Sequence, residues 1–120
     1  MNKKTLVIGA SNHSERYSYK AVRKLVHYHH EVIALGNKPG FIDHTIIYNQ
    51  RLAWEDINTV TLYINPVLQE QYYDYIISLH PKRVIFNPGT ENPNFYKLLV
   101  SHNIEPIEAC TLVMLQTNQY

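Results

Sequence analysis

The sequence is 120 residues long, the size of a single domain able to bury its own core. Charged residues make up 18% of it and nearly cancel, leaving a net charge of +1, which excludes the basic profile of a nucleic-acid or membrane-surface binder. Its one cysteine, Cys110, cannot form an intrachain disulfide, so the fold does not call for an oxidising compartment.

The apolar runs are short and evenly spaced. Thr5–Gly9 (TLVIG) reads as a buried strand ended by a turn residue. Ser18 is placed to N-cap a helix over Tyr19–His30, with Val22, Leu25, Val26 and His29 at helical spacing. Glu31–Leu35 (EVIAL) is a second strand, closed by the loop Gly36–Gly40, and His44–Tyr48 (HTIIY) a third. Thr59–Ile64 (TVTLYI) is rich in β-branched residues and forms the fourth. Asn65 and Pro66 then give a cap and a first helical proline for a helix reaching about Leu79, whose apolar face is Leu68, Tyr72, Tyr75, Ile76 and Leu79. Arg83–Phe86 (RVIF) is a fifth strand, Asn87–Thr90 a turn, and Asn92-Pro93 the start of a helix to about His102. A short strand near Glu105–Ile107 leads into CTLVML, expected as a closing helix.

Strands alternate with helices, and several strands are apolar throughout, as in a parallel sheet covered on both faces. The expectation is one three-layer, Rossmann-like α/β domain over residues 1–120, with strand order 3-2-1-4-5 and helices on both faces. In such folds ligands lie outside the carboxyl ends of the strands, where strands one and four diverge. The loops that begin at Gly9 and Asn65 therefore carry the candidate site.

The first loop is not a dinucleotide fingerprint. Where G-x-G-x-x-G would fall, the sequence has Gly9, Ser11 and Ser14, and after strand two it has Lys38 rather than an acidic residue for ribose. What the loop does offer is Ser11, Asn12, Ser14 and Ser18 as hydrogen-bond donors, Arg16 as a two-pronged phosphate ligand, and the free N–H groups of a helix start. Lys20, Arg23 and Lys24 follow, and a solvated helix face accounts for the two lysines.

Taken in order, GAS after strand one, RYSY at the helix start, EVIALGNK at strand two, TLYINP after strand four and NPGTEN after strand five resemble the small stand-alone CoA-binding proteins. Their Rossmann-like domain is similar to that of the succinyl-CoA synthetase α-subunit. The resemblance runs from about Thr5 to Leu115 and implies a CoA site with the following parts. Gly9, Ala10, Ser11 and Asn12 match the loop that approaches the diphosphate; Arg16 and Ser18 match residues that reach the same phosphates. Lys38 matches a basic residue at the nucleotide end, where CoA carries a 3′-phosphate. Asn65 and Pro66 match the loop along the pantetheine arm, and Asn87, Pro88 and Gly89 the loop nearer the thiol. Strand two departs from the family's more usual Val-Asn-Pro ending, reading Leu35-Gly36-Asn37. The ligases' further domain with its phosphorylated histidine has no counterpart in the sequence, so the resemblance implies binding of CoA or an acyl-CoA without ligase activity.

The remaining candidates have plainer readings. His27 and His30 near a helix end suit the helix dipole without a metal, and no zinc spacing accompanies them. Cys110 beside Ala109 and Leu112 reads as a small apolar residue. Glu91 is expected in the first turn of a helix, complementing its dipole, with acid–base work on an acyl group as the alternative. The expected function is a non-catalytic carrier, sensor or regulatory module for CoA; the alternative is a small NADP-dependent or acyl-thioester enzyme. No nucleic-acid or membrane partner is expected, a homodimer is compatible with the size, and the short apolar run at the N-terminus, unlike a signal segment, points to the cytoplasm.

Overall fold

The computed structural model describes residues 2–120; Met1 lies outside the described residues. A seven-stranded sheet forms from β1 (Thr5–Ile8), β2 (Val32–Leu35), β3 (Gly40–Ile42), β4 (Thr45–Tyr48), β5 (Thr59–Leu62), β6 (Arg83–Phe86) and β7 (Glu105–Glu108). Its order is β3-β4-β2-β1-β5-β6-β7. The five strands ordered from the sequence stand in the expected order, the short strand expected near Glu105–Ile107 joins the sheet at one edge as β7, and β3 at the other edge was not expected. β7 continues the parallel run, with Arg83 opposite Glu105. β3 is antiparallel to β4, so the sheet is mostly rather than wholly parallel. Three residues of β3 give too short a pattern to read; the hairpin is made by the Asp43 turn, which adopts a left-handed φ of 52° and takes an ion pair from Arg23 at 2.9 Å.

Successive residues of the buried strands feed two cores. Leu6, Ile8, Val60, Leu62, Val84 and Phe86 meet Ile76, Phe95 and Leu99 of the helices on one face. Val7, Ala34 and Ile47 meet Val22, Leu25 and Leu115 on the other. Helix α1 (Tyr17–His27) and α5 (Thr111–Gln116) thus cover one side, and α3 (Tyr73–Leu79) and α4 (Pro93–Ser101) the opposite side.

Two helices differ from expectation. α1 starts two residues early, with Arg16 rather than Ser18 as its N-cap residue and no side-chain cap bond. The shift puts Ser18, Ala21, Val22 and Leu25 on the buried face, an i, i+3, i+4, i+7 stripe, and leaves Val26 exposed. The helix after Asn65 is not continuous. It comprises α2 (Pro66–Gln69), a 3-10 turn (Glu70–Tyr72) and α3. Asn65 caps it as expected, its Oδ1 accepting from Leu68 N at 3.0 Å. Leu68, however, is not on the buried face. The residue buried in α2 is Gln69, whose amide nitrogen donates to the carbonyls of Ile64 (2.9 Å) and Thr90 (2.7 Å), and this turns Leu68 outward.

Candidate functional site

The carboxyl ends of β1, β2 and β5 deliver three loops that press against one another. Gly9 leaves β1 with φ +94°, and a Cβ there would stand 2.9 Å from the carbonyl oxygen of Tyr63. Gly36 leaves β2 directly against the Ala10 carbonyl, where a Cβ would come within 2.2 Å. Backbone bonds lock the crossing: Gly9 N and Ala10 N both donate to Leu35 O, and Tyr63 N donates to Ile8 O. These glycines are needed for loop-on-loop packing, whereas in a dinucleotide fingerprint the glycines let backbone approach a diphosphate.

Above the crossing lies a cleft of about 730 Å³. Of the site residues expected from sequence, Gly9, Ala10, Ser11, Asn12, Arg16, Ser18, Lys38, Asn65, Pro88 and Gly89 line it; Pro66 and Asn87 do not. Asn87 is instead fully used inside the protein. Its Nδ2 donates to Thr61 Oγ1 (2.7 Å) and Leu62 O (2.9 Å), while its Oδ1 accepts from Thr111 N at 2.8 Å. Pro66 supplies the rigid first residue of α2 behind the capping Asn65.

The first loop is shaped from within. Ser11 Oγ accepts from His13 N at 3.1 Å, and Arg16 N donates to His13 O at 3.0 Å, so the chain turns tightly into α1. No acidic residue stands in the first turn of α1; Glu15, just before the cap, lies 3.8 Å from His13 Nδ1. Arg16 and Lys38 are exposed and enter no ion pair among the described residues. Two unneutralised cations, a hydroxyl-rich loop and a helix start are thus gathered at one end of the cleft, an arrangement chemically suited to anionic groups. Lys20, Arg23 and Lys24 lie outside the cleft: Arg23 is spent on Asp43, and Lys20 stands over the Tyr17 ring at 5.1 Å.

The opposite wall comes from the ends of β5 and β6 and from α2. Gln69, completely buried, joins Ile64 to Thr90, and its own oxygen accepts from Asn92 Nδ2 at 2.9 Å. Asn92 Nδ2 also donates to Tyr73 Oη at 2.7 Å. This buried chain of amides sets the spacing of the two loops, both of which line the cleft. Arg51 braces the same wall from behind, donating to Gln71 at 2.7 and 2.9 Å and stacking 4.0 Å from the Tyr72 ring centre. Tyr63 contributes to the cleft lining, but its hydroxyl is buried without a hydrogen-bond partner, and that burial pushes its ionisation well above the usual tyrosine range despite the nearby Thr111 and Thr61 hydroxyls. Sequence patterning missed Gln69, Gln71, Tyr63, Tyr72 and Thr90 as site residues because each reads there as an ordinary helix, strand-end or turn residue.

Glu91 lies one residue before the cap of α4 rather than in its first turn, and its Oε1 accepts from Gly89 N at 3.0 Å. Asn92 takes the cap itself, its Oδ1 accepting from Phe95 N. His30 Nδ1 accepts from Lys3 N at 2.9 Å, and Cys110 sits at the start of α5, away from the cleft. Among the described residues there is no group of three or more histidine, cysteine or acidic side chains arranged to hold a metal, and no helix is long and apolar enough to cross a membrane.

Comparison with known proteins agrees with this architecture. A crystal structure of an uncharacterized protein is 48% identical, superimposes with a TM-score of 0.97 and covers 100% of this chain and 99% of its own. A hypothetical protein from Pyrococcus horikoshii OT3 is 23% identical with a TM-score of 0.87, covering 97% of this chain and 83% of its own. Aspartate dehydrogenase from Thermotoga maritima shares the fold more distantly, at 14% identity and a TM-score of 0.59, over 89% of this chain and 45% of its own. No curated protein matches the chain. The profile of the CoA binding domain matches residues 3–116, nearly the whole sequence, and the chain therefore belongs to the CoA binding domain family.

Proposed function

We propose that this protein binds coenzyme A or an acyl-CoA in the cleft at the carboxyl ends of the sheet, as a non-catalytic carrier, sensor or regulatory module. The observation that carries the reading is the pairing of unneutralised Arg16 and Lys38 with the acid-free start of α1 on one side of a single cleft. In this reading Ser11, Asn12, Arg16 and the first turn of α1 take the diphosphate, with Gly9, Ala10 and Ser18 shaping the floor beneath it. Lys38 takes the 3′-phosphate. The arm then passes Asn65, held in place by the α2 cap, toward Pro88 and Gly89, while Pro66 and Asn87 act from behind as framework. Family membership supports CoA as the ligand class.

The absence of a catalytic role rests on the cleft's inventory. Its titratable lining among the described residues is His13, Arg16, Tyr17, Lys38, Tyr63 and Tyr72; the carboxylate at its rim, Glu91, is engaged by Gly89 N and has no nucleophile paired with it. Native mass spectrometry of the protein purified under mild conditions tests the proposal. A bound mass equal to CoA or a CoA thioester is expected; a bound NADP, or turnover of an added acyl-CoA at a rate lost in Arg16→Ala, would contradict it.

A further inference from the structure

The cleft is electrically lopsided. Its cationic lining, Arg16 and Lys38, comes entirely from the loops after β1 and β2. The wall formed by the ends of β5 and β6 and by α2 contributes no lysine, arginine or histidine among the described residues. Arg51 stands behind that wall with its guanidinium already engaged by Gln71 and Tyr72. At the far end, Glu91 holds the N–H of the cleft residue Gly89 and so brings a carboxylate to the rim. The α4 start beside it is already capped by Asn92, whose Oδ1 accepts from Phe95 N. Glu108 lies on the same side, accepting from Tyr96 Oη at 2.6 Å. The Tyr96 phenol is pushed up to about 12, first by burial, then by its bond to Glu108, with Glu91 adding to the effect.

We propose that the cleft selects CoA with a free thiol or an uncharged acyl group, and discriminates against thioesters whose acyl chain carries a carboxylate. The inference rests on the CoA reading above. The phosphates must sit on the cationic side, so the arm runs toward Gly89 and brings the thioester beside Glu91. A terminal carboxylate there would meet a like charge, with no free cation to offset it. A neutral acyl group meets no such repulsion on this wall, whose lining includes Leu68, Pro88 and Thr90 and carries no charge.

Calorimetric titration with CoA, acetyl-CoA and succinyl-CoA, on wild type and Glu91→Gln, tests this. The glutamine keeps an oxygen to accept from Gly89 N and removes only the charge. Wild type should bind CoA and acetyl-CoA comparably and succinyl-CoA about three- to tenfold more weakly, the size of a partly screened like-charge contact. In Glu91→Gln, and in high salt, that deficit should shrink. Equal binding of acetyl-CoA and succinyl-CoA, or a deficit that Glu91→Gln leaves untouched, overturns the inference while leaving CoA binding standing. Failure of all three to bind overturns the CoA reading itself and this inference with it.

Discussion

The carbonyl of Ala10 crosses Gly36 so closely that a Cβ at position 36 would stand 2.2 Å from its oxygen. The obstacle is backbone, fixed by the bonds from Gly9 N and Ala10 N to Leu35 O, and cannot swing aside as a side chain could. Gly36→Ala is therefore expected to destabilise the fold by about 2–3 kcal/mol and to weaken ligand binding as the first loop is displaced. Urea unfolding measures the first effect and a CoA titration the second. A neutral substitution would mean that the two loops are not held this tightly.

Arg16 has the opposite profile. It is exposed, makes no cap bond and enters no ion pair among the described residues, so the fold does not depend on its side chain. Arg16→Ala should leave the urea midpoint unchanged and weaken CoA binding by about 1.5–3 kcal/mol, the loss of charge-assisted bonds to the diphosphate. An unchanged affinity would remove Arg16 from the site.

Asn87 separates framework from contact. Three buried bonds tie β6 through it to β5 and to the start of α5. Asn87→Ala would orphan several buried groups, at about 1–3 kcal/mol each, and should show as a large fall in unfolding free energy. The fraction that remains folded should still bind CoA, because the amide does not line the cleft. Loss of affinity without loss of stability would reverse that assignment.

His30 gives the stability a pH dependence. Burial, then the nearby positive charges of Lys3 and Arg83, hold its imidazole below the ordinary value of 6.5, and its Nδ1 is already the acceptor for Lys3 N. In the unfolded chain the ring gains a proton near 6.5. Below that the unfolded state binds more protons than the folded one, so the contribution is complete above 6.5 and is lost as pH falls through the lower folded value. His30→Gln, which retains an acceptor and does not titrate, should flatten the stability profile in this window. An identical slope in both proteins would assign the dependence to other groups.

How far the sequence foretold this molecule depended on where each constraint lives. β1 and β6 are legible as short apolar runs and β5 as a β-branched one, TVTL, and Asn65-Pro66 and Asn92-Pro93 because cap chemistry is local. The start of α1 was misjudged because Ser18 is a good capping type, whereas its actual role is the small buried contact in an i, i+3, i+4, i+7 stripe that only the packed sheet reveals. Gln69 was invisible for a related reason. A glutamine in a helix reads as solvent-facing, and nothing local shows that the carbonyls of Ile64 and Thr90 converge on it. Gly36 reads as a turn glycine until the Ala10 carbonyl is seen against it. The cationic side of the site was readable from Arg16 and Lys38 as residue types in carboxyl-end loops. The opposite wall was not, because tyrosine, glutamine and threonine carry no motif of their own.

The central claim is that this cleft recognises CoA through its phosphates, and calorimetric titration with CoA, dephospho-CoA and NAD tests it most directly. CoA should bind more tightly than dephospho-CoA, and NAD least or not at all, since the sequence offers Lys38 where a nicotinamide site offers an acidic residue. Lys38→Ala should narrow the gap between CoA and dephospho-CoA by about three- to fivefold, as expected for an exposed charge pair. Equal affinity for all three ligands, or no binding of any, would contradict the account.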